Sequence, residues 1–174
     1  MLNEIGLIGL GVMGKNIALN IAEKGTHIKA FNNSSEKIDA VGKEFDNTFT
    51  GFTDLEVLID NLERPRNILL MIPSGEPTHS VINLLADLLD EGDVIIDAGN
   101  SFYLESVSHG NILSSKSINF IGMGVSGGEE GARHGPAIMV GSDNNLDDEL
   151  VELLSAVSAK APDACIGFYR GFGS

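Results

Sequence analysis

The sequence predicts an α/β fold: a single domain built on a doubly wound, mostly parallel sheet. Three observations carry this prediction. Short apolar runs of strand length alternate along the chain with amphipathic stretches of helical length. A glycine-rich hexapeptide joins the first such run to the first such helix. The length, 174 residues, suits one domain of the usual ~100–200 residues, and 43% apolar residues are enough for a core.

Residues 5–8 read as the first strand. Residues 12–24 read as a helix, with apolar side chains at 13, 17, 18, 21 and 22 on one face and Gly25 as its stop. Residues 27–31 read as a second strand, and residues 34–45 as a helix capped by Ser34 or Ser35. Residues 53–62 read as a third helix, with Thr53 as N-cap and Glu56 completing a capping box. The continuous apolar run 67–72 has the character of a strand buried on both faces. Residues 77–89 are helical, 93–97 a strand, 102–115 a helix and 118–122 a strand. Residues 137–141 add a strand before an acidic helix over 146–157. No repeat, low-complexity segment or Pro/Gly/Ser linker divides the chain, so residues 1–174 read as one domain.

Charge narrows the function classes. The chain carries 25 acidic and 11 basic side chains, a formal net charge of −14. A nucleic-acid surface needs a basic face, so none is expected. No apolar run approaches the ~18 residues that would span a bilayer, and Glu4 interrupts the first apolar stretch, so neither a membrane segment nor a signal peptide is expected. Cys165 is the only cysteine; no intrachain disulfide can form, and a reducing, cytoplasmic setting fits. Acidity is concentrated after residue 66, and the run 143–152 reads as a solvated helix face.

Gly9-Leu10-Gly11-Val12-Met13-Gly14 fits G-x-G-x-x-G. By itself the pattern is weak, but it follows a strand and opens a helix, as a dinucleotide site requires. Gly9 permits the tight turn, Gly11 lets backbone approach a pyrophosphate, and Gly14 permits close helix–strand packing. The helix N-terminus adds free N–H groups, so an anionic cofactor can bind despite the global charge. This makes the domain Rossmann-type. At the end of the second strand, where a carboxylate would hold the ribose 2′-hydroxyl of NAD, the chain has Asn32-Asn33-Ser34, with Lys37 one turn on. The absence of a carboxylate there favours NADP, with NAD as the alternative.

Two further polar clusters follow strands: Asp97-Ala98-Gly99-Asn100-Ser101, and a glycine-rich stretch over 122–133. Both fall at carboxyl ends of strands, where open α/β sheets bind ligands. Asn100 offers an amide, and Ser126 with the N–H groups of Gly127 and Gly128 offers a cradle for a carboxylate or sugar hydroxyls. Asp97 reads as a loop-fixing residue. Glu129 and Glu130 are adjacent, so their side chains diverge and do not form a paired acid–base site. His27, His79, His109 and His134 show no metal spacing and read as surface or loop residues, with His134 beside the cradle; no metal is expected. Cys165 reads as a small buried hydrophobe.

These motifs, together with Lys15-Asn16-Ile17-Ala18-Leu19-Asn20 and Gly135-Pro136, resemble the 6-phosphogluconate dehydrogenase family over essentially the whole chain. The stretch 125–133 is the most specific part. The resemblance implies enzymes that oxidise 6-phosphogluconate with NADP and decarboxylate it to ribulose 5-phosphate in the pentose phosphate pathway, without a metal. It implies that Gly9, Gly11, Val12, Met13 and Gly14 hold the pyrophosphate, and that Asn32, Asn33 and Ser34 surround the adenosine ribose. Met71, Ile72 and Pro73 line the cofactor, and Asn100, Ser126, Gly127 and Gly128 contact the phosphorylated sugar acid. The chain departs from the family pattern at Asn33 (usually arginine), Pro73 (usually lysine or glutamine) and Ala98 (usually glycine). Residues 171–174 match the entrance to the helix that carries the family's general-base lysine. That lysine is absent, so no catalytic residue is assigned and the chain is expected to bind dinucleotide without turnover; the alternatives are an NAD-dependent β-hydroxyacid dehydrogenase domain and a non-catalytic dinucleotide-binding module. The complete family enzyme is a homodimer; this chain is expected to be monomeric, with an exposed apolar patch.

Overall fold

A computed structural model describes residues 1–171. The chain alternates β1 (Glu4–Ile8), α1 (Val12–Ala22), β2 (His27–Phe31), α2 (Ser35–Gly42), β3 (Phe49–Phe52), α3 (Leu55–Asn61), β4 (Asn67–Leu70) and α4 (Glu76–Leu88). It continues through β5 (Val94–Asp97), α5 (Tyr103–Ser114), β6 (Asn119–Ser126), α6 (Gly128–His134), β7 (Ala137–Ser142), α7 (Asp148–Val157) and β8 (Ile166–Arg170). One eight-stranded sheet has the order β3-β2-β1-β4-β5-β6-β7-β8. Every pairing is parallel except β6 with β7. The α/β, mostly parallel expectation therefore holds.

The two faces of the sheet follow from the two-residue period of a strand. Ile5, Leu7, Leu69, Ile96 and Ile121 point into one layer, which α1, α2, α6 and α7 cover with Ile17, Ile38, Ala132 and Leu153. Their neighbours Ile8, Ile68, Leu70, Ile95 and Phe120 point into the other, which α3, α4 and α5 cover with Leu58, Ile82, Leu85 and Leu113. Both faces are buried, and for this reason the central strands read as continuous apolar runs.

Several local expectations change. The second helix stops at Gly42, and Ser34 is its cap, accepting from the Lys37 N–H at 3.2 Å. The third helix is capped by Asp54, not Thr53: the Asp54 carboxylate accepts from the Val57 N–H at 3.1 Å, and the ionised side chain is the stronger acceptor for a helix N-terminus. Strands β3 and β8 and helix α6 appear where none is expected, and β6 runs on to Ser126. Cys165 is half-buried rather than buried, because it leads into edge strand β8. His109 is buried and His79 half-buried, against the surface expectation for both. The acidic residues between 143 and 152 are all exposed, as a solvated face requires.

Candidate functional site

The sheet order reverses between β1 and β4: the chain leaves β1 for β2 and β3 on one side, then returns to β4 on the other. Such switch points open a crevice at the carboxyl ends of the strands. A cleft of about 320 Å³ lies there, lined by Gly11, Val12, Met13, Gly14, Met71, Ile72, Pro73, Ala98, Gly99, Asn100 and Val125. A larger hollow of about 450 Å³ opens at the opposite, amino-terminal edge, among residues such as Glu4, Asn67 and Asn119. Ligands of doubly wound sheets bind at the carboxyl ends, which selects the smaller cleft.

The glycine loop fits a dinucleotide through its backbone. Gly9 has φ +104°, and a Cβ on it would stand 2.4 Å from the Met71 carbonyl oxygen. A Cβ on Gly14 would stand 1.9 Å from the Gly9 carbonyl oxygen. Side chains are excluded at both positions. Gly11, the N-cap of α1, has open space where a Cβ would project, as close approach of a pyrophosphate requires. Leu10 is buried in the core, so only its backbone faces the loop.

The cleft's far wall is the turn after β5. Asp97 accepts the Gly99 N–H at 3.0 Å. A Cβ on Gly99 would meet the Ile72 carbonyl at 2.6 Å. Asn100 takes the left-handed conformation (φ 55°), whereas Ala98 does not, so alanine replaces glycine at 98 without strain. The Asn100 side chain clasps β6: Oδ1 accepts from the Val125 N–H at 3.0 Å, and Nδ2 donates to the Val125 carbonyl at 3.2 Å. Its amide is thus spent largely on holding the wall, and one Nδ2 proton remains for a ligand.

Ser126, Gly127 and Gly128 are exposed and lie beyond the cleft lining, at the start of α6. Two asparagines of α1, buried on its inner face, lash α6 in place. Asn16 Nδ2 donates to the Val12 carbonyl at 2.9 Å and to Glu129 at 3.3 Å. Asn20 Nδ2 donates to the Ala132 carbonyl at 3.2 Å and the Val157 carbonyl at 2.9 Å. Arg133 pairs with Glu23 and holds that carboxyl below its ordinary range. Glu130 turns the other way, 3.7 Å from His134, so the adjacent glutamates do diverge. A polar pair at i and i+4 amid apolar neighbours is the signal in the sequence that could have revealed Asn16 and Asn20.

At the end of β2, Asn32 Oδ1 accepts the Ser34 N–H at 3.0 Å, closing a small turn. Asn33 and Lys37 are exposed, and neither forms an ion pair or a side-chain hydrogen bond among the described residues. Glu36 stands in the first turn of α2 and accepts from the Ser34 hydroxyl at 3.4 Å. The match of residues 171–174 to the family's helix entrance lies, from 172 on, outside the described residues. No cluster able to hold a metal is found among the described residues.

The sequence model described as the NAD binding domain of 6-phosphogluconate dehydrogenase matches residues 4–169. The chain belongs to that family. A decarboxylating 6-phosphogluconate dehydrogenase of Staphylococcus aureus (strain N315) is 43% identical over 97% of this chain. A Bacillus subtilis (strain 168) relative, an NAD(+)-dependent decarboxylating 6-phosphogluconate dehydrogenase, is 42% identical over 98%. The chain spans only 36% and 37% of these relatives. A solved structure of Plasmodium falciparum 6-phosphogluconate dehydrogenase, described in its apo form, with its cofactor NADP+ and with its substrate 6-phosphogluconate, has a TM-score of 0.88. It is 36% identical over 95% of this chain, which spans 36% of it. A Mycobacterium tuberculosis 3-hydroxyisobutyrate dehydrogenase, at TM-score 0.79 and 18% identity, shares the fold. This is a nicotinamide-dinucleotide-binding domain of an oxidoreductase family.

Proposed function

We propose that residues 1–174 form the cofactor-binding domain of a decarboxylating 6-phosphogluconate dehydrogenase. The observation that carries this reading is the glycine loop at the sheet's switch point, closed to side chains at Gly9 and Gly14 and open at Gly11. Gly9, Leu10, Gly11, Val12, Met13 and Gly14 hold the pyrophosphate. Asn32, Asn33, Ser34 and Lys37 surround the adenosine ribose, and Met71, Ile72, Pro73 and Asn100 flank the nicotinamide half. Asn100, Ser126, Gly127 and Gly128 meet 6-phosphogluconate. When bound, the nicotinamide supplies the hydride acceptor; the domain supplies position and excludes side chains from the cofactor's path. The complete enzyme acts in the cytoplasm as a homodimer and yields ribulose 5-phosphate. No helix among the described residues is long and apolar enough to cross a membrane. The apolar side chains Phe102, Tyr103 and Leu104, each more than half exposed at the start of α5, suit a surface that another part of such an enzyme covers.

NADP is the cofactor favoured by Asn33 and Lys37, two exposed donors beside a helix N-terminus. NAD is the second reading, favoured by Glu36, whose carboxylate shares that helix turn and repels a 2′-phosphate, and by the NAD(+)-dependent relative. Titration of the chain with NADP+ and NAD+ decides between them. Asn33→Arg is expected to tighten NADP+ about tenfold through a bidentate charge-assisted contact, leaving NAD+ unchanged. An unchanged NADP+ affinity in that variant rejects the placement of the 2′-phosphate. Failure of both dinucleotides to bind rejects the domain's function.

A further inference from the structure

Three buried polar atoms between the end of β5 and the middle of α5 find no protein partner among the described residues: Asp97 Oδ2, Ser101 Oγ and His109 Nδ1. Buried polar groups in native proteins are almost always satisfied, by protein or by ordered water. These three are also chemically complementary, since a carboxylate only accepts, a hydroxyl does both, and an imidazole N–H donates.

The fold brings Asp97 and His109 into one layer. Side chains alternate along β5, so Asp97 shares a face with Ile95. Ile95 pairs with Phe120 on β6, and this is the face that α4 and α5 cover. His109 of α5, only 3% exposed, meets the Phe120 ring edge-on at 6.1 Å and stacks on His79 of α4 at 5.5 Å. Of the charged groups around the His109 ring, Asp97 acts on it most strongly, ahead of His79 and Glu105.

Hydrogen bonds give this cluster a direction. Asn83 Nδ2 lies 3.0 Å from His79 Nε2, and His79 Nδ1 lies 3.3 Å from His109 Nε2. A neutral imidazole carries one N–H. If the Asn83 amide donates into His79 Nε2, the His79 proton sits on Nδ1 and points at His109 Nε2. The His109 proton must then sit on Nδ1, the atom without a partner. We propose that His109 is a positioning residue for the cofactor cleft. The chain Asn83→His79→His109 fixes an Nδ1–H that holds Asp97 Oδ2 through one buried water shared with Ser101. A water with three partners is the usual buried case. Asp97 is thereby held by both oxygens, one in this network and one on the Gly99 N–H that shapes the cleft wall. The consequence for binding rests on the proposed function; the tautomer does not.

The test has two arms. In the ligand-free full chain, long-range ¹H–¹⁵N correlation at about pH 7.5, above the ordinary imidazole range, is expected to show the Nδ1–H tautomer for both His79 and His109. An Nε2–H tautomer at His109 overturns the proposal, whether or not dinucleotide binds. The second arm uses two replacements. His109→Asn places its amide N–H near the position of Nδ1, and His109→Gln places its own near Nε2. NADP+ affinity is expected to stay within about twofold for the Asn variant and to weaken about five- to tenfold for the Gln variant, the effect of one buried hydrogen bond. Equal affinities in the two variants overturn the proposal, since a packing role alone does not distinguish them. Absence of binding of both NADP+ and NAD+ rejects the proposed function instead, and the tautomer then decides this inference alone.

Discussion

The two ends of the proposed dinucleotide site are built on different principles. At the β1–α1 loop the backbone sets the geometry: a Cβ on Gly9 or Gly14 would strike main-chain oxygens at 2.4 and 1.9 Å. At the β2–α2 turn the proposed donors Asn33 and Lys37 are exposed side chains without a hydrogen bond or ion pair among the described residues, so their identity is decoupled from the fold. Asn33 touches nothing that holds the sheet together, while Ser34 and Asn32 serve the turn itself. The first end leaves little freedom to change without unfolding. The second can be rewritten for a different 2′ substituent at almost no structural cost. A family can therefore keep its pyrophosphate loop while members divide between NAD and NADP.

The sharpest way to break the comparison is Gly14→Ala. Its Cβ has no space and its nearest neighbour is backbone, so overpacking of about 3 kcal/mol is expected. A denaturant midpoint reads this directly, and an unchanged midpoint would show that the loop is softer than the geometry says. Gly11→Ala should separate stability from binding. No atom lies within 4 Å of its Cβ, and φ is −69°, open to any residue. The gain from a stiffer unfolded chain and the loss of a glycine N-cap roughly offset, so stability is expected to stay within about 0.5 kcal/mol. Dinucleotide affinity is expected to fall about tenfold or more, because the methyl occupies the pyrophosphate's path. Equal affinity for wild type and variant would place the phosphates elsewhere. Asn33→Arg, the converse at the other end, is expected to change NADP+ affinity with no movement in the unfolding midpoint.

The parts legible in the sequence are those with a local cause. The buried central strands announce themselves as apolar runs, and the glycine loop by its position after β1. The misses have non-local causes. Strand β3 is the short FTGF segment at the sheet edge, and Gly51 is needed there because a Cβ would strike Ile38 at 1.9 Å. No periodicity encodes that. Strand β8 forms the other edge; its apolar run is short, and Phe168 and Tyr169 stay exposed, so no buried face marks it as a strand. Helix α6 contains two glycines and one buried alanine; its place depends on Asn16 and Asn20, more than a hundred residues earlier in the chain. Helix α5 hides its inner face, since Tyr103, Leu104 and Val107 are apolar but exposed while Ser106 and His109 are buried. His109 could not be placed inside without the fold. Within the site, Met71–Pro73 and Asn100 come together with Gly11–Gly14 as the sequence implies, but the clasp of Asn100 on Val125 depends on β5 and β6 pairing.

The smallest expected effect belongs to the cleft's far wall, which shares features of both ends: a backbone turn held by titratable side chains. Burial pushes the His109 imidazole below its ordinary value; Asp97 and Glu105 oppose this and His79 adds to it. The unfolded chain therefore binds a proton that the folded chain refuses, over a window that starts near the ordinary imidazole value of about 6.5 and extends downward. The contribution to stability is complete above that value and is lost as pH falls through the lower, folded-state value. The lowered carboxylates Glu23 and Asp90 act in the same direction but only below their own ordinary range near 4, so the two windows are separable. Unfolding midpoints measured from about pH 7.5 to 5 should decline for the wild type. His109→Asn, which cannot titrate, should flatten that decline while leaving the acid limb below it in place. A decline of equal slope in both proteins would mean that a group other than His109 carries the proton, and that the far wall is held by Asp97 and Asn100 without help from the His109 charge state.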